Sequence, residues 1–354
     1  MRVGLVGTGA VAHKHAAAYL NMGFQVVACT DVDQQAGRDF AVRYGAEFVP
    51  AYPLVCSHPM VDYVDVCTPP GVRMEIVEEC ARVRKSVLVE KPIATNLTDA
   101  RRMIALSRSA GIQLGVVSQH RFDDSILFVA DAIKSGRMGR ILQADAYVKW
   151  YRPPEYYSRP IKGSWKMEGG GALINQAIHQ VDLLLLLAGP VRRVFGAWQL
   201  AALHKIESED VVSAVMQYAS GATGVIQAST AMWPGFPERI EIQGEKGTAI
   251  ISADKLVTYD VQGDAGTTAP VSANPSSASS DPMAISLEPF ERMFRDFAEA
   301  VRSGSKPSVH AEAGYRALEL VTSIYRSCRE MRPVEIDSTL VEGSNSRGLR
   351  AGRD

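Results

Sequence analysis

The first 120 residues alternate short apolar runs with amphipathic stretches. The runs RVGLVG, QVVACT, YVDVCTP and SVLVEKP are short and rich in β-branched residues, which is typical of buried strands. Helical patterns lie between them, near residues 13–22, 34–44, 72–83 and 98–110. Strands and helices that alternate at this spacing predict right-handed crossovers and a parallel sheet, and hence an α/β domain over residues 1–120.

The pattern changes after residue 120. Segments such as ILQADAYVKWY, VVSAVMQYA, TGVIQASTAM and RIEIQG predict longer strands with few helices between them. They favour a large, open, mostly antiparallel sheet in a second domain of α+β type, over residues 121–340. Residues 263–282 are predicted to form a surface loop, and residues 341–354 a disordered tail.

Composition and charge restrict the possible partners. The chain has 354 residues, and its 38 Lys and Arg residues nearly balance its 39 Asp and Glu residues. Nucleic-acid binding needs a basic excess on one face, so we expect no nucleic-acid partner. The longest apolar run, residues 183–188, is far below the roughly 18 residues of a membrane span, so we expect no membrane association.

Cysteine usage points to a reducing compartment. The five cysteines are scattered, and no CxxC pair occurs, so the sequence predicts neither a disulfide framework nor a metal site. The first residues lack the basic and apolar regions of a signal peptide. We therefore expect a cytoplasmic protein whose partners are small molecules or copies of itself.

A glycine-rich motif follows the first predicted strand. Gly7 permits a tight turn there, Gly9 allows the backbone to approach a pyrophosphate, and the next helix begins with unpaired N–H groups. The motif predicts a dinucleotide site whose cofactor contacts include the consecutive residues Gly7, Thr8, Gly9, Ala10, Val11 and Ala12.

The second predicted strand ends at Asp31. An acidic side chain at this place can accept hydrogen bonds from ribose hydroxyls and would repel a 2′-phosphate, which favours NAD over NADP. Alternatively, Asp31 and Asp33 cap the helix that follows.

Lys91 follows another predicted strand, at the sheet edge where ligands bind in open α/β folds. Here the chain resembles the Gfo/Idh/MocA family of nicotinamide-dependent oxidoreductases. The motifs that carry the resemblance span most of the chain: GTGAVA at 7–12, CTPP at 67–70, EKP at 90–92, GGGALINQAIHQVD at 169–182 and GYRALELVTSIYRSC at 314–328.

The resemblance implies a Rossmann dinucleotide-binding domain and assigns roles within it. Lys91 would be catalytic, beside the nicotinamide and the substrate, in a turn shaped by a cis proline. Further cofactor contacts would come from Thr68, Pro69, Pro70 and Glu90. Pro70 and Arg73 depart from the residues common in the family. The resemblance also implies a homo-dimer or homo-tetramer assembled through the second sheet.

The glycine run at residues 169–171 leads into a predicted helix of about four turns. Asn175, His179 and Asp182 lie at i, i+4 and i+7, and so on one face of an otherwise apolar helix. A lone histidine in such a helix is more often a hydrogen-bonded core residue. The resemblance instead implies that His179 is the general acid or base, and that Asn175 replaces a commoner aspartate and orients substrate hydroxyls.

Further substrate contacts are expected from the domain junction and from an aromatic and basic segment. His120 and Arg121 lie at the junction, and Trp165 and Lys166 lie in the segment at residues 150–166. Such residues can stack on sugars or bind anions, or they can belong to an ordinary exposed loop. His13 and His15 are expected to serve packing or capping.

The sequence thus predicts an NAD-dependent dehydrogenase or reductase acting on a secondary alcohol or ketone of a sugar, sugar acid, inositol or sugar derivative. Lys91 and His179 would handle the proton. Two alternatives remain at this point: a catalytically silent NAD-binding sensor, and an enzyme that uses tightly held NAD to exchange oxidation state between sugars or to process glycosides.

Overall fold

A computed structural model of the protein describes residues 1–263 and 286–337. The predicted loop over residues 263–282 therefore lies almost wholly outside the described residues, and the predicted tail over residues 341–354 lies entirely outside them. No helix within the described ranges is both long enough and apolar enough to span a bilayer.

The first sheet has six parallel strands in the order β3-β2-β1-β4-β5-β6. This doubly wound topology confirms the predicted Rossmann fold and places a ligand crevice where the order reverses, beside β1. Its strands are β1 (Arg2–Val6), β2 (Gln25–Thr30), β3 (Glu47–Phe48), β4 (Tyr63–Val66), β5 (Ser86–Val89) and β6 (Leu114–Val116). Its helices are α1 (Ala10–Asn21), α2 (Gln34–Tyr44), α3 (Tyr52–Ser57), α4 (Arg73–Arg82) and α5 (Leu97–Ala110).

The second sheet has eight strands in the order β13-β12-β11-β7-β10-β9-β8-β14. Only the pair of β7 and β10 is parallel among the described pairings, which confirms a mostly antiparallel sheet. Its strands are β7 (Ile141–Lys149), β8 (Val191–Leu200), β9 (Glu209–Tyr218), β10 (Thr223–Ser229), β11 (Arg239–Gly244), β12 (Gly247–Ser252), β13 (Lys255–Val261) and β14 (Val334–Glu335). The remaining helices are α6 (Asp124–Lys134), α7 (Ala172–Asn175), α8 (Ile178–Ala188), α9 (Glu288–Ser303) and α10 (Ala311–Glu330).

One face of the second sheet is covered by α8 and α10. Gly196 on β8 allows this close packing, because a Cβ there would lie 2.9 Å from the sulfur of Cys328 on α10. Within the residues that the structure describes, the opposite face carries exposed apolar side chains, and we call it the open face. Phe195 and Val215 are directly paired across β8 and β9, and their exposed fractions are 46% and 57%.

Helix α9 packs on the first sheet, although the sequence assigns it to the second domain. Phe294 packs against His15 and Tyr19 of α1, and Phe297 lies against Tyr63 of β4. All of these side chains are fully buried. The chain therefore returns after the second sheet to complete the core of the nucleotide-binding domain.

Candidate functional site

The glycine-rich turn has the geometry of a phosphate-binding loop. Gly7 has a φ of 90°, and a Cβ there would lie 3.1 Å from the backbone of Cys67 and Thr68, so only glycine fits without strain. At Gly9, an added Cβ would meet no described atom within 4 Å. Open space at the start of α1 is what the pyrophosphate of a dinucleotide requires.

Asp31 and Asp33 have different partners. The carboxylate of Asp33 caps α2 by accepting from the N–H groups of Gln35 and Ala36, each at 3.1 Å. Asp31 instead accepts from the N–H group of Thr8 at 2.6 Å and from its hydroxyl at 2.9 Å. The capping alternative therefore describes Asp33, whereas Asp31 lies against the glycine-rich turn. A contact between Asp31 and ribose stays a prediction.

Two buried polar atoms line the same edge of the sheet. The Thr68 hydroxyl follows β4 and the Gln119 amide oxygen follows β6, and neither atom has a hydrogen-bond partner among the described residues. A buried polar atom without a partner costs about 1–3 kcal/mol. The residues present therefore fit a dinucleotide, because polar groups of the cofactor could complete these hydrogen bonds.

Lys91 lies at the carboxyl end of β5, in a turn that contains the expected cis Lys91–Pro92 peptide. Its Nζ donates to the backbone carbonyl of Asn175 at 2.9 Å, which joins the two domains. Burial lowers the pKa of Lys91, and the positive charges of Lys162 and Arg73 lower it further against the opposing effect of Glu90.

A buried hydrogen-bond network reaches the backbone of Lys91. His15 Nε2 lies 3.1 Å from Glu90 Oε1, and its Nδ1 lies 2.8 Å from Asp65 Oδ2. Glu90 Oε2 accepts from the Lys91 N–H at 2.9 Å. His15 packs on Phe294, as expected, and it also has a hydrogen-bonding role that the sequence did not indicate. Its imidazole holds the Glu90 carboxylate, which is directed toward His15 and the Lys91 backbone.

Arg73 holds the ends of two strands together. Its buried guanidinium donates to the carbonyl of Thr68 after β4 at 2.9 Å, and to the carbonyls of Glu90 and Pro92 on either side of Lys91. Arg73 is visible in the sequence only as a departure from the family. The structure makes it the residue that shapes the Lys91 turn.

The predicted four-turn helix is broken in two. Helix α7 ends at Asn175 and α8 begins at Ile178, and Ala177 N–H donates to Ala172 C=O, five residues back, at 3.0 Å. The expectation of one continuous helix is wrong. A wider turn, with Gln176 and Ala177 still in the right-handed region, separates α7 from α8, and the Asn175 carbonyl at this point accepts from Lys91. His179 consequently lies in the first turn of a second helix.

His179 is 9% exposed, and its ring packs edge-on against that of His120, with centroids 5.0 Å apart and planes at 80°. Burial holds the pKa of His179 well below its usual range, and the charges of Lys91 and His120 lower it further. A histidine in this state is neutral at physiological pH and can accept a proton.

The side chain of Asn175 is fixed by two acceptors. Its Nδ2 donates to Glu168 Oε2 at 3.3 Å and to the Gly170 carbonyl at 3.2 Å. Both amide hydrogens are thus used, so the amide oxygen is the group that Asn175 can offer to a ligand. Glu168 is buried and also accepts from Lys162 Nζ at 2.6 Å. Sequence reasoning missed Glu168, although it directly precedes the glycine run.

Several other predicted substrate contacts lie elsewhere or have other partners. Arg121 forms a bidentate pair with Asp182, with N–O distances of 2.6 and 2.5 Å. The Trp165 indole donates to the Glu207 carbonyl at 3.1 Å and packs on Tyr325. Lys166 is exposed. The structure does not bring these three residues into the group around Lys91.

The site therefore combines three functional groups beside a dinucleotide crevice: the ammonium of Lys91, the neutral imidazole of His179 and the amide of Asn175. An ammonium can stabilise a developing alkoxide, and an imidazole can exchange its proton. Such a site suits proton handling during oxidation of an alcohol or reduction of a ketone.

Comparisons with known proteins agree with this geometry. Residues 1–118 match the model of an oxidoreductase family with an NAD-binding Rossmann fold, and residues 126–250 match that of the GFO/IDH/MocA C-terminal domain. Myo-inositol 2-dehydrogenase of Thermotoga maritima is 28% identical over 96% of this chain and 100% of its own length. Inositol 2-dehydrogenase of Rhizobium meliloti is 29% identical over 95% of this chain and 99% of its own length.

A solved structure gives the same result. The WlbA dehydrogenase of Bordetella pertussis, in complex with NADH and UDP-GlcNAcA, superimposes with a TM-score of 0.85 at 29% identity. The match covers 95% of this chain and 98% of that one. With both domain models matched in order, the chain belongs to the Gfo/Idh/MocA family of NAD-binding oxidoreductases.

Proposed function

We propose that the protein is an NAD-dependent dehydrogenase or reductase that interconverts a secondary alcohol and a ketone on a sugar, sugar acid, inositol or sugar derivative. The observation that carries this proposal is the meeting of Lys91, Asn175 and His179 at the edge of the nucleotide-binding sheet. NAD, when bound, supplies the hydride acceptor or donor. The chain supplies orientation and proton transfer.

Each of the three residues has a distinct task. Lys91 donates a hydrogen bond to the reacting oxygen and stabilises its negative charge. His179 takes the hydroxyl proton during oxidation and returns it during reduction. The amide oxygen of Asn175 accepts a hydrogen bond from a substrate hydroxyl. Arg73 and the His15–Glu90 pair hold Lys91 in place for this work.

The substrate class rests on the relatives. Two of them are inositol dehydrogenases, and the WlbA structure holds a nucleotide-linked sugar acid. These substrates share several hydroxyl groups on a ring. A site that combines ammonium, imidazole and amide groups suits such a ligand, because each group can bond a different oxygen.

The test is to measure turnover of a panel of sugars, sugar acids and inositols through the absorbance of the reduced cofactor. Each compound is assayed with NAD and with NADP. Lys91→Met and His179→Gln are each expected to lower kcat by about 10²- to 10⁴-fold, with NADH affinity nearly unchanged. Lys134→Met, on the exposed end of α6, is the matched surface control.

Unchanged turnover in both site variants would refute the proposed mechanism. Binding of NADH without turnover on any compound would indicate a sensor, and NAD that copurifies with the protein would indicate exchange between two sugars. A preference for NADP would contradict the prediction for Asp31.

Two further properties complete the proposal. The open face around Phe195 and Val215 is covered by a second copy of the chain, in a homo-dimer or homo-tetramer. The protein works in a reducing, cytoplasmic environment, which the free state of all five cysteines supports.

A further inference from the structure

His120, expected from the sequence to contact the substrate, is held by two carboxylates. Its Nδ1 lies 2.8 Å from Asp123 Oδ2 and 3.4 Å from Asp254 Oδ1. Asp123 directly precedes α6, and Asp254 belongs to the hairpin between β12 and β13. Two anions at one ring nitrogen require a proton on it, and they stabilise the imidazolium form.

The conformation of the hairpin turn fixes the position of Asp254. Ala253 and Asp254 have φ values of 49° and 63°, and aspartate adopts this left-handed region more easily than most residues. The backbone carbonyl of Asp254 accepts from the Ser125 hydroxyl at 2.8 Å. The turn is therefore anchored to α6, and its carboxylate has a fixed place beside His120.

The charged ring faces His179 directly. The two rings are nearly perpendicular, with centroids 5.0 Å apart. The other charge acting on His179 is that of Lys91, from the turn after β5. On α8 itself, Asp182 is neutralised by Arg121 at 2.5 Å. His179 thus lies near two cations, Lys91 and His120, and the carboxylates of Asp123 and Asp254 pair with His120.

We propose that His120 is a positioning residue that acts through His179: clamped as a cation by Asp123 and Asp254, it keeps His179 neutral and ready to accept a proton. The role of His179 as the base rests on the proposed function, whereas the electrostatic coupling of the two rings does not. His120 then contributes to the reaction without touching the substrate.

The protonation equilibria agree with this geometry. Burial alone would lower the pKa of His120, but the charges of Asp123 and Asp254 overcome it and raise that pKa well above its usual range. For His179 the direction is opposite, since burial and the two neighbouring cations all lower the pKa. Protonation of His179 would add a further positive charge beside Lys91 and His120.

The experiment is an NMR pH titration of the histidine ring signals in the full chain, free and with NADH, with His179→Gln used to assign its signal. In the unsubstituted protein, His120 should remain charged while His179 stays neutral to well below pH 6.5, the ordinary histidine value. His120→Gln removes a cation and leaves its carboxylates unbalanced. It should raise the pKa of His179 by about one pH unit or more.

Two further variants separate charge from structure. Asp254→Asn keeps the backbone preference of the turn and the bond of His120 to Asp123, so the pKa of His179 should stay low. His58→Gln removes a histidine paired with Glu47 elsewhere in the first domain and should have no effect. On an identified substrate, the acidic limb of the kcat/KM profile should move to higher pH in His120→Gln alone.

An ordinary pKa for His179 in the unsubstituted protein would overturn the inference, even if no variant folds. So would an equal pKa of His179 in His120→Gln and His58→Gln, or an equal rise in Asp254→Asn. If the pKa moves as expected but no polyol is turned over, the coupling stands and the proposed function fails. If a polyol is turned over but the pKa of His179 does not move, the proposed function stands and the coupling fails.

Discussion

Asn175 stands where the resemblance leads one to expect aspartate, and its neighbours explain the difference. Glu168 already supplies a buried carboxylate, and its Oε2 accepts from the Asn175 amide at 3.3 Å. An aspartate at this position would face that carboxylate without a hydrogen between them. The site therefore keeps one negative charge and uses the amide as its donor.

Asn175→Asp tests this view of the residue. A carboxylate at this half-buried position would repel the buried carboxylate of Glu168. The Gly170 carbonyl also loses its donor, so we expect a loss of about 1–3 kcal/mol in the free energy of unfolding. Turnover should fall as well, because the side chain leaves its position. Thermal denaturation and steady-state kinetics measure the two effects.

The double variant Glu168→Gln with Asn175→Asp is the control for that prediction. It restores one donor and one acceptor in reversed order, so part of the lost stability should return. Strict additivity of the two single changes would contradict a direct interaction between these residues.

Residues such as Glu168 and His15 also mark the limit of sequence reasoning. The glycine-rich turn and the Lys91 turn are local, so their spacing along the chain predicts their places. Asp254 acts on His120, which is far away in the sequence. Glu168 acts on Asn175 and Lys162, which are near in the sequence but lie across an irregular segment, and no periodic pattern encodes these pairs. His15 looks like any histidine in an apolar helix until β4 and β5 bring two carboxylates to it.

At the scale of elements, the alternation of strands and helices predicted the first sheet, and the run of strands with few helices between them predicted the second, since hydrophobic periodicity reflects burial directly. The break between α7 and α8 escaped prediction because no glycine or proline marks it. It coincides with a tertiary contact, the bond of Lys91 to the Asn175 carbonyl. Local helix preference does not encode a tertiary hydrogen bond of this kind.

Within the glycine-rich turn, alanine at Gly9 should weaken NADH binding, whereas alanine at Gly7 should lower the free energy of unfolding. Gly9→Ala meets open space in the free protein, so stability should stay within about 0.5 kcal/mol. The new methyl group would obstruct the approach of a pyrophosphate, so the NADH dissociation constant should rise by at least about tenfold. Fluorescence titration and thermal unfolding provide the two readouts.

Gly7→Ala is the matched comparison. Its φ of 90° is unfavourable for alanine, so we expect a loss of about 1–2 kcal/mol in the free energy of unfolding. Normal NADH affinity in Gly9→Ala would show that the cofactor does not approach this turn.

At the scale of the whole molecule, the open face of the second sheet is an exposed apolar surface in the part of the chain that the structure describes. In an antiparallel sheet one face can be solvated, but here Phe195 and Val215 lie paired on it with about half of each side chain exposed. Paired apolar side chains on a sheet face favour contact with another protein surface. In a symmetric interface the same residue of both copies is buried, so one substitution changes the interface at two places.

Val215→Lys is therefore expected to dissociate the proposed dimer or tetramer. Loss of a buried valine costs about 1.5–3 kcal/mol at each occurrence, so a symmetric interface should weaken by at least about a hundredfold in dissociation constant. Light scattering at micromolar concentration should show the unsubstituted chain as a dimer or tetramer and the variant as a smaller species.

Val42→Lys is the control, because Val42 is 86% exposed on α2 of the first domain and lies off this face. A monomeric unsubstituted chain, or equal masses for all three proteins, would contradict assembly through the sheet. Because the open face lies across the sheet from α8, retained turnover in a monomeric variant would further indicate that each chain carries a complete site.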